Sequence, residues 1–142
     1  MPLITQVAEA VVAELNATTF SQPITAIRSY LPRVELADLK TLKVTVVPSS
    51  VTVAAASRSQ TQRDVAIDVA VQKKLGQEQN VSLDPLLALS EEIAEHFRTK
   101  RLDSFPGALC VKIEFKPIYA PEHIEQLRTF TSVLTLTFRV ID

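Results

Sequence analysis

Alternating apolar and polar residues mark two unusually long extended segments in this chain. The stretch DVAIDVAVQKKL follows a strict period of two, which predicts a half-buried strand over residues 64–74. The closing stretch TFTSVLTLTFRVID alternates in the same way and predicts a second strand over residues 129–141. At about 3.3 Å per residue the two strands would reach roughly 36 Å and 43 Å, whereas a compact domain of this length is only about 37 Å across.

Strands as long as the whole domain suggest a role in assembly. A strand that extends past its own sheet leaves backbone hydrogen-bonding groups that a neighbouring chain can pair with by strand addition. If the same contact repeats head to tail with a closing rotation, the product is a ring. We therefore expect the two long strands to contact neighbouring copies of the chain.

Helical periodicity predicts two helices. The first runs from about residue 2 to Asn16 and the second begins at Asp84, as N-cap, with Pro85 as its first helical residue, and ends near Arg98. Each has one apolar stripe. The stripes consist of Leu3, Val7, Val11 and Leu15 in the first helix and Leu86, Leu89, Ile93 and Phe97 in the second.

Three shorter segments also alternate. They predict a weak strand from Ile24, a strand over residues 42–47 that Pro48 ends, and a strand in FPGALCVKIEFKP that Pro117 ends. In the last of these, alternation places Val111 and Ile113 on the apolar side and Cys110 on the less buried side. Residues 48–63, between the second strand and the first long one, are small and polar, which predicts a flexible hairpin arm.

This order of elements predicts an α+β fold in a single domain over residues 1–142. We expect a mainly antiparallel or mixed sheet of four to five strands with two main helices packed on it, and a long β-hairpin arm at 48–63. Apolar residues make up 46% of the chain and charged residues 22%, which is ordinary for a globular domain.

Composition excludes several functional classes. The net charge of −1 provides no global basic field for nucleic acid or anionic membranes, so we expect no sequence-specific nucleic-acid binding. The chain has no apolar run of eighteen residues and no recognisable signal peptide, so we expect no membrane partner. Its two glycines are too few for a glycine-rich phosphate loop or a dinucleotide-binding fingerprint.

Residues with catalytic or metal-binding potential are scattered. Glu92 and His96 have i,i+4 spacing, but a metal site needs three or four ligands and a solvated helix face explains the pair more simply. His123 lies in a polar stretch, and Cys110 lies in a strand without a neighbouring base. We therefore predict no catalytic residue, no metal site and no cofactor, and hence no enzyme.

Interaction candidates come from the polar sides of the long strands and from the arm. An outer face rich in threonine is either an ordinary solvent-facing β surface or a surface or edge that meets a neighbouring subunit. Short basic clusters are usually solvated, but in a ring they would become bands of potential. The candidates are Arg58, Arg63, Asp64, Asp68, Lys73, Lys74, Thr131, Thr135, Thr137 and Arg139.

The stretches YLPRVELADLKTLKVTVVP, RDVAIDVAVQKKL and FTSVLTLTFRV, together with the order of elements, resemble small virion proteins of tailed phages and prophages. The likeness is to the tail-terminator or tail-completion group, with neck and head–tail connector proteins next. It implies a structural subunit, made in the cytoplasm of the host bacterium, that closes into a ring, commonly a hexamer, at the head-proximal end of the tail. The ring ends tube growth, joins the neck and allows DNA to pass through its lumen.

The partners implied by this resemblance are other copies of the chain, a tail-tube protein and a neck or head–tail connector protein. Three alternatives remain open. The chain could instead be a head–tail connector or neck adaptor subunit, a non-viral α+β binding module with a small-molecule pocket, or an enzyme whose residues converge from distant segments.

Overall fold

A computed structural model of the chain describes residues 2–30, 42–74, 79–115, 119, 121–122 and 129–142. It contains two helices and six strands. In chain order they are α1 (Leu3–Ala17), β1 (Ala26–Arg28), β2 (Lys43–Ala55), β3 (Thr61–Lys74), α2 (Gln79–Phe97), β4 (Arg101–Leu102), β5 (Phe105–Phe115) and β6 (Thr129–Ile141). His123 lies outside the described residues.

The strands form one mixed sheet in the order β1-β2-β3-β6-β5-β4. The pair β1–β2 is parallel, and the pairs β2–β3, β3–β6, β5–β6 and β4–β5 are antiparallel. This confirms the α+β class. The sheet has six strands rather than four to five, because the two-residue β4 is too short to leave a periodic pattern in the sequence.

One apolar core lies between the helices and a single face of the sheet. The helix stripes meet the inward rows of the four long strands in one continuous cluster. Because apolar side chains of both helices join the same cluster, both helices cover the same face. The largest fully buried side chains include Phe97, Phe130 and Phe138, and the rings of Phe97 and Phe138 meet edge to face at 6.2 Å.

The strand that was predicted to stop at Pro48 continues to Ala55. Pairing between β2 and β3 is interrupted only by a register shift between Pro48 and Ser50, after which it resumes as far as the pair Ala55–Thr61. A proline is tolerated at an edge strand or bulge because its missing N–H is not needed there. The prediction was wrong because β1 covers β2 only at residues 44–46, which leaves Pro48 at an edge.

A second bulge overturns the predicted orientation of β5. The register against β6 shifts between Cys110 and Lys112, so the alternation reverses at this point. Cys110 therefore lies in the core with 2% of its surface exposed, whereas Val111 is 39% exposed. Ile113 and Phe115, after the bulge, face the core as expected.

The second helix begins five residues earlier than predicted. Asp84 and Pro85 lie inside α2, which starts at Gln79. Pro85 lies beyond the first turn, where it removes a hydrogen bond within the helix and crowds the preceding turn, yet α2 continues through it to Phe97. The predicted end near Arg98 and the buried stripe are confirmed, since the helix ends at Phe97 and its four apolar stripe residues are all buried.

Candidate interaction surfaces

The two long strands are the central pair of the sheet and not its edges. The strand β3 is bonded to β2 on one side and to β6 on the other over nearly its whole length. The strand β6 is bonded to β3 throughout and to β5 from Leu134 to Arg139. Both edges of β3 are thus paired within the chain, whereas residues 129–133 of β6 have no described neighbour on the β5 side. The expected contact of the long strands with neighbouring copies stays a prediction.

The register of this central pair brings together four of the predicted interaction residues. Asp64 lies opposite Arg139, and Asp68 lies opposite Thr135, all on the face of the sheet that carries no helix. Arg139 donates from Nε and Nη2 to the two carboxylate oxygens of Asp64, at 3.0 and 3.3 Å. Thr135 Oγ1 donates to Asp68 Oδ1 at 2.8 Å. Strand pairing thus gives each carboxylate its own hydrogen-bond donor, Arg139 for Asp64 and Thr135 for Asp68.

The electrostatics of this pair are those of a partly exposed ion pair. The hydrogen bond from Arg139 to Asp64, followed by the charge of Asp64, raises the pKa of the guanidinium above its ordinary value. The side chains of Arg139 and Asp64 are 40% and 26% exposed, so water and salt screen their attraction. The pair therefore orders the surface more than it stabilises the fold.

The other predicted interaction residues do not join this group. Thr131 is buried opposite Gln72, and Thr137 is half-buried opposite Ala66. Lys73 and Lys74 project to opposite faces because successive strand residues alternate. Arg63, near the hairpin turn, forms a salt bridge with Asp142 at 2.5 Å, and Arg58 is exposed within the turn itself.

An exposed end of the β2–β3 hairpin is the second candidate surface. Residues 49–55 of β2 are all exposed, and Val51 and Val53 are 40% and 62% exposed. The turn is closed by hydrogen bonds from the N–H groups of Ala56 and Ser57 to the carbonyl of Gln60. The sequence predicts a hairpin arm over residues 48–63, and the structure places strand pairing up to the pair Ala55–Thr61 within it.

A buried carboxylate joins the two helices and was not predicted. Glu14 of α1 accepts a hydrogen bond from the backbone N–H of Asp103 at 2.9 Å, and its other carboxylate oxygen lies 2.9 Å from His96 Nε2 and 3.5 Å from Lys100 Nζ. Its position within an apolar helix stripe was the available signal, since a buried acid requires partners.

The i,i+4 pair on α2 is divided between two different contacts. Glu92 accepts hydrogen bonds from the backbone N–H and the hydroxyl of Ser21, whereas His96 contacts Glu14. Across the part of the chain that the structure describes, no group of three or more histidine, cysteine, aspartate or glutamate side chains is arranged to hold a metal. Both side chains therefore tie α2 to the segment that surrounds the end of α1.

Cys110 gives a prediction about pH dependence. Burial raises the pKa of its thiol from 9.0 to about 11. Since the folded state favours the neutral thiol, this stabilisation is complete below pH 9 and is lost as the pH rises towards 11. Between neutral pH and pH 10 the wild-type chain should lose about 1 kcal/mol more stability than Cys110→Ala does. Urea unfolding of both chains across this pH range measures the difference. An equal dependence of the free energy of unfolding on pH in the two chains would contradict the prediction.

Neither described helix is long and apolar enough to cross a lipid bilayer. In comparisons with known proteins, no protein-family model matches the chain and no curated protein matches it significantly.

Proposed function

We propose that this chain is a structural virion protein of a tailed phage or prophage. It forms a ring at the head-proximal end of the tail, where it ends tube growth and joins the neck, and it has no catalytic role. The proposal rests on the resemblance of its sequence to tail-terminator and tail-completion proteins and on one structural observation. That observation is the exposed hairpin end, which carries Val51 and Val53 beyond the part of the sheet that the helices cover.

The hairpin end supports assembly for a physical reason. A solvated strand normally carries charge, proline or a bulge that keeps other strands away. After Pro48 and the register shift before Ser50, residues 51–57 carry no charge and no proline, and residues 51–55 pair with β3 without a further register shift. This segment, with the turn that bears Arg58, is the arm that would contact a neighbouring copy, the tail tube or the lumen. Because it belongs to a paired hairpin, the contact needs little ordering of the backbone.

The test uses the purified full-length chain, alone and mixed with tail tubes assembled from the tube protein of the same phage or prophage. Negative-stain microscopy should show annuli or capped tube ends, and light scattering should give a multiple of the 15.7 kDa subunit mass. A chain that remains a monomer near 100 µM and leaves tube ends bare would overturn the proposal. Binding to portal or adaptor protein instead of tubes would assign the chain to the neck.

A further inference from the structure

Among the described residues, the neighbouring strands cover β2 and β5, which lie next to the two ends of the sheet, over only part of their length. On β2, the neighbour β1 covers residues 44–46, and the N–H of Ser29 adds one bond to the carbonyl of Val46. On β5, the neighbour β4 pairs only as far as Leu109, and the N–H of Cys110 bonds to the carbonyl of Lys100. Within the described ranges, no strand lies beside residues 48–55 of β2 or residues 111–115 of β5.

The open part of β2 in one copy can lie beside the open part of β5 in a second copy. The strands β2 and β5 run in opposite directions, because three successive antiparallel pairs separate them. Read across the strand pairs, residues 48–55 of β2 lie level with residues 61–67 of β3, at the hairpin end, whereas residues 112–115 of β5 lie level with residues 66–69 of β3, nearer the middle of the sheet. If a second copy is placed beside the first and displaced along the strands, the two open parts meet, and β1 and β4 lie beyond the ends of the contact.

The side chains on the two open edges also match face by face. Val51 shares a face with Val65, and Ile113 and Phe115 share a face with Leu136 and Leu134, which is the helix-covered side in each case. When Val53 is aligned with Ile113 in an antiparallel pair, Val51 lies opposite Phe115. On the other face, Thr52 and Ala54 then lie opposite Glu114 and Lys112, which already form a salt bridge with each other. No like charges meet in this register.

The two edges differ in how well they are protected against wrong pairing. The open part of β5 carries Lys112 and Glu114, and charged side chains discourage self-pairing of an edge. In the open part of β2, Pro48 and the register shift before Ser50 protect one end, whereas residues 51–55 are only valine, threonine and alanine. This second portion is suited to strand addition, and the apolar side chains of β5 give it a partner that buries both valines.

We propose that copies of this chain join head to tail by strand addition, with residues 51–55 of β2 in one copy paired antiparallel to residues 111–115 of β5 in the next. The occupant of each open edge is thus a second copy of the same chain. The contact is heterologous, so repetition closes a ring or extends a filament according to the rotation per copy. Only the closure into a ring rests on the proposed function; the edge contact stands without it.

A charge placed on the open β2 edge tests the contact. Val53→Lys introduces a lysine opposite Ile113 and should raise the concentration for half-assembly at least ten-fold in light scattering. Val53 is well exposed, so the monomer should remain folded, which circular dichroism checks. The matched control is Ile27→Lys on β1, which adds the same charge at an apolar site that is 55% exposed and outside the contact. Equal weakening by both variants, or by neither, overturns the proposal.

A disulfide trap tests the register and does not depend on the stability of the lysine variant. Thr52→Cys and Glu114→Cys chains are mixed and oxidised; the only native cysteine, Cys110, is buried. Opposed strand residues are close enough for a disulfide, so the mixture should form covalent dimers that neither variant forms alone. Dimers from Thr52→Cys alone would show β2–β2 pairing and overturn the proposal, as would the absence of dimers from the mixture.

The two proposals fail in distinguishable ways. Annuli that form without the mixed disulfide would keep the proposed function and overturn the edge contact. A mixed disulfide in open filaments that never cap tail tubes would support the edge contact and contradict the proposed function.

Discussion

Replacing Phe138 by alanine should lower the free energy of unfolding by about 3–5 kcal/mol, because a fully buried aromatic ring leaves a cavity that the core fills only in part. Phe138 lies on β6 between Val65 of β3 and Cys110 of β5, and its ring contacts Phe97 of α2 edge to face. The side chain therefore joins the centre of the sheet to the end of the second helix. Urea unfolding followed by circular dichroism measures the loss.

Thr137→Ala is the matched control for this substitution. Thr137 is the preceding residue of the same strand, but it lies half-buried on the face without helices. Its truncation removes little apolar contact and should cost less than about 1 kcal/mol. If the two variants lost similar stability, the core would not lie on the helix-covered face, contrary to the structure.

Glu14→Ala should lower the free energy of unfolding by about 2–4 kcal/mol. The side chain of Glu14 is only 3% exposed, and its removal leaves the backbone N–H of Asp103, His96 and Lys100 without their shared acceptor. The loss should be smaller than for a fully buried ion pair, because His96 and Lys100 are 19% and 32% exposed and can regain water. Chemical denaturation at neutral pH measures it.

The control for Glu14 is the same substitution one and a half turns earlier in α1. Glu9 forms a salt bridge with Arg28, but its side chain is 46% exposed, so Glu9→Ala should change stability by less than about 1 kcal/mol. Both variants place alanine in one helix, so their difference excludes helix propensity. If Glu14→Ala were as mild as Glu9→Ala, the buried carboxylate would contribute nothing beyond an ordinary surface pair.

The element types could be predicted because they depend on local periodicity. Only a helix places Val7, Val11 and Leu15 together against a core, because they recur every four residues. Only a strand does the same for the alternating residues of β3. Two of the errors in the strands fall at Pro48 and at Val111, where a bulge changes the alternation. The position of a bulge depends on the register against the neighbouring strand, and the sequence of one strand does not show that register.

The candidate surfaces were only partly accessible to sequence reasoning. Asp64 and Arg139 could be named as polar residues on outward faces, but their pairing depends on the register between strands that lie far apart in the chain. Glu14 could be recognised as an acid within an apolar stripe, but its partners on α2 and the following turn could not.

By itself the sequence determined the α+β class, the type of each long helix and strand, and the core-facing residues wherever no bulge interrupts the periodicity. Each of these depends on side chains a few positions apart, and their burial follows from the hydrophobic effect acting on one face. Only the tertiary structure decided that β3 and β6 pair with each other and that, among the described residues, parts of β2 and β5 have no strand beside them. The physical reason is that every extended segment carries the same backbone donors and acceptors, so its partner is chosen by the packing of the whole sheet and not by its own residues.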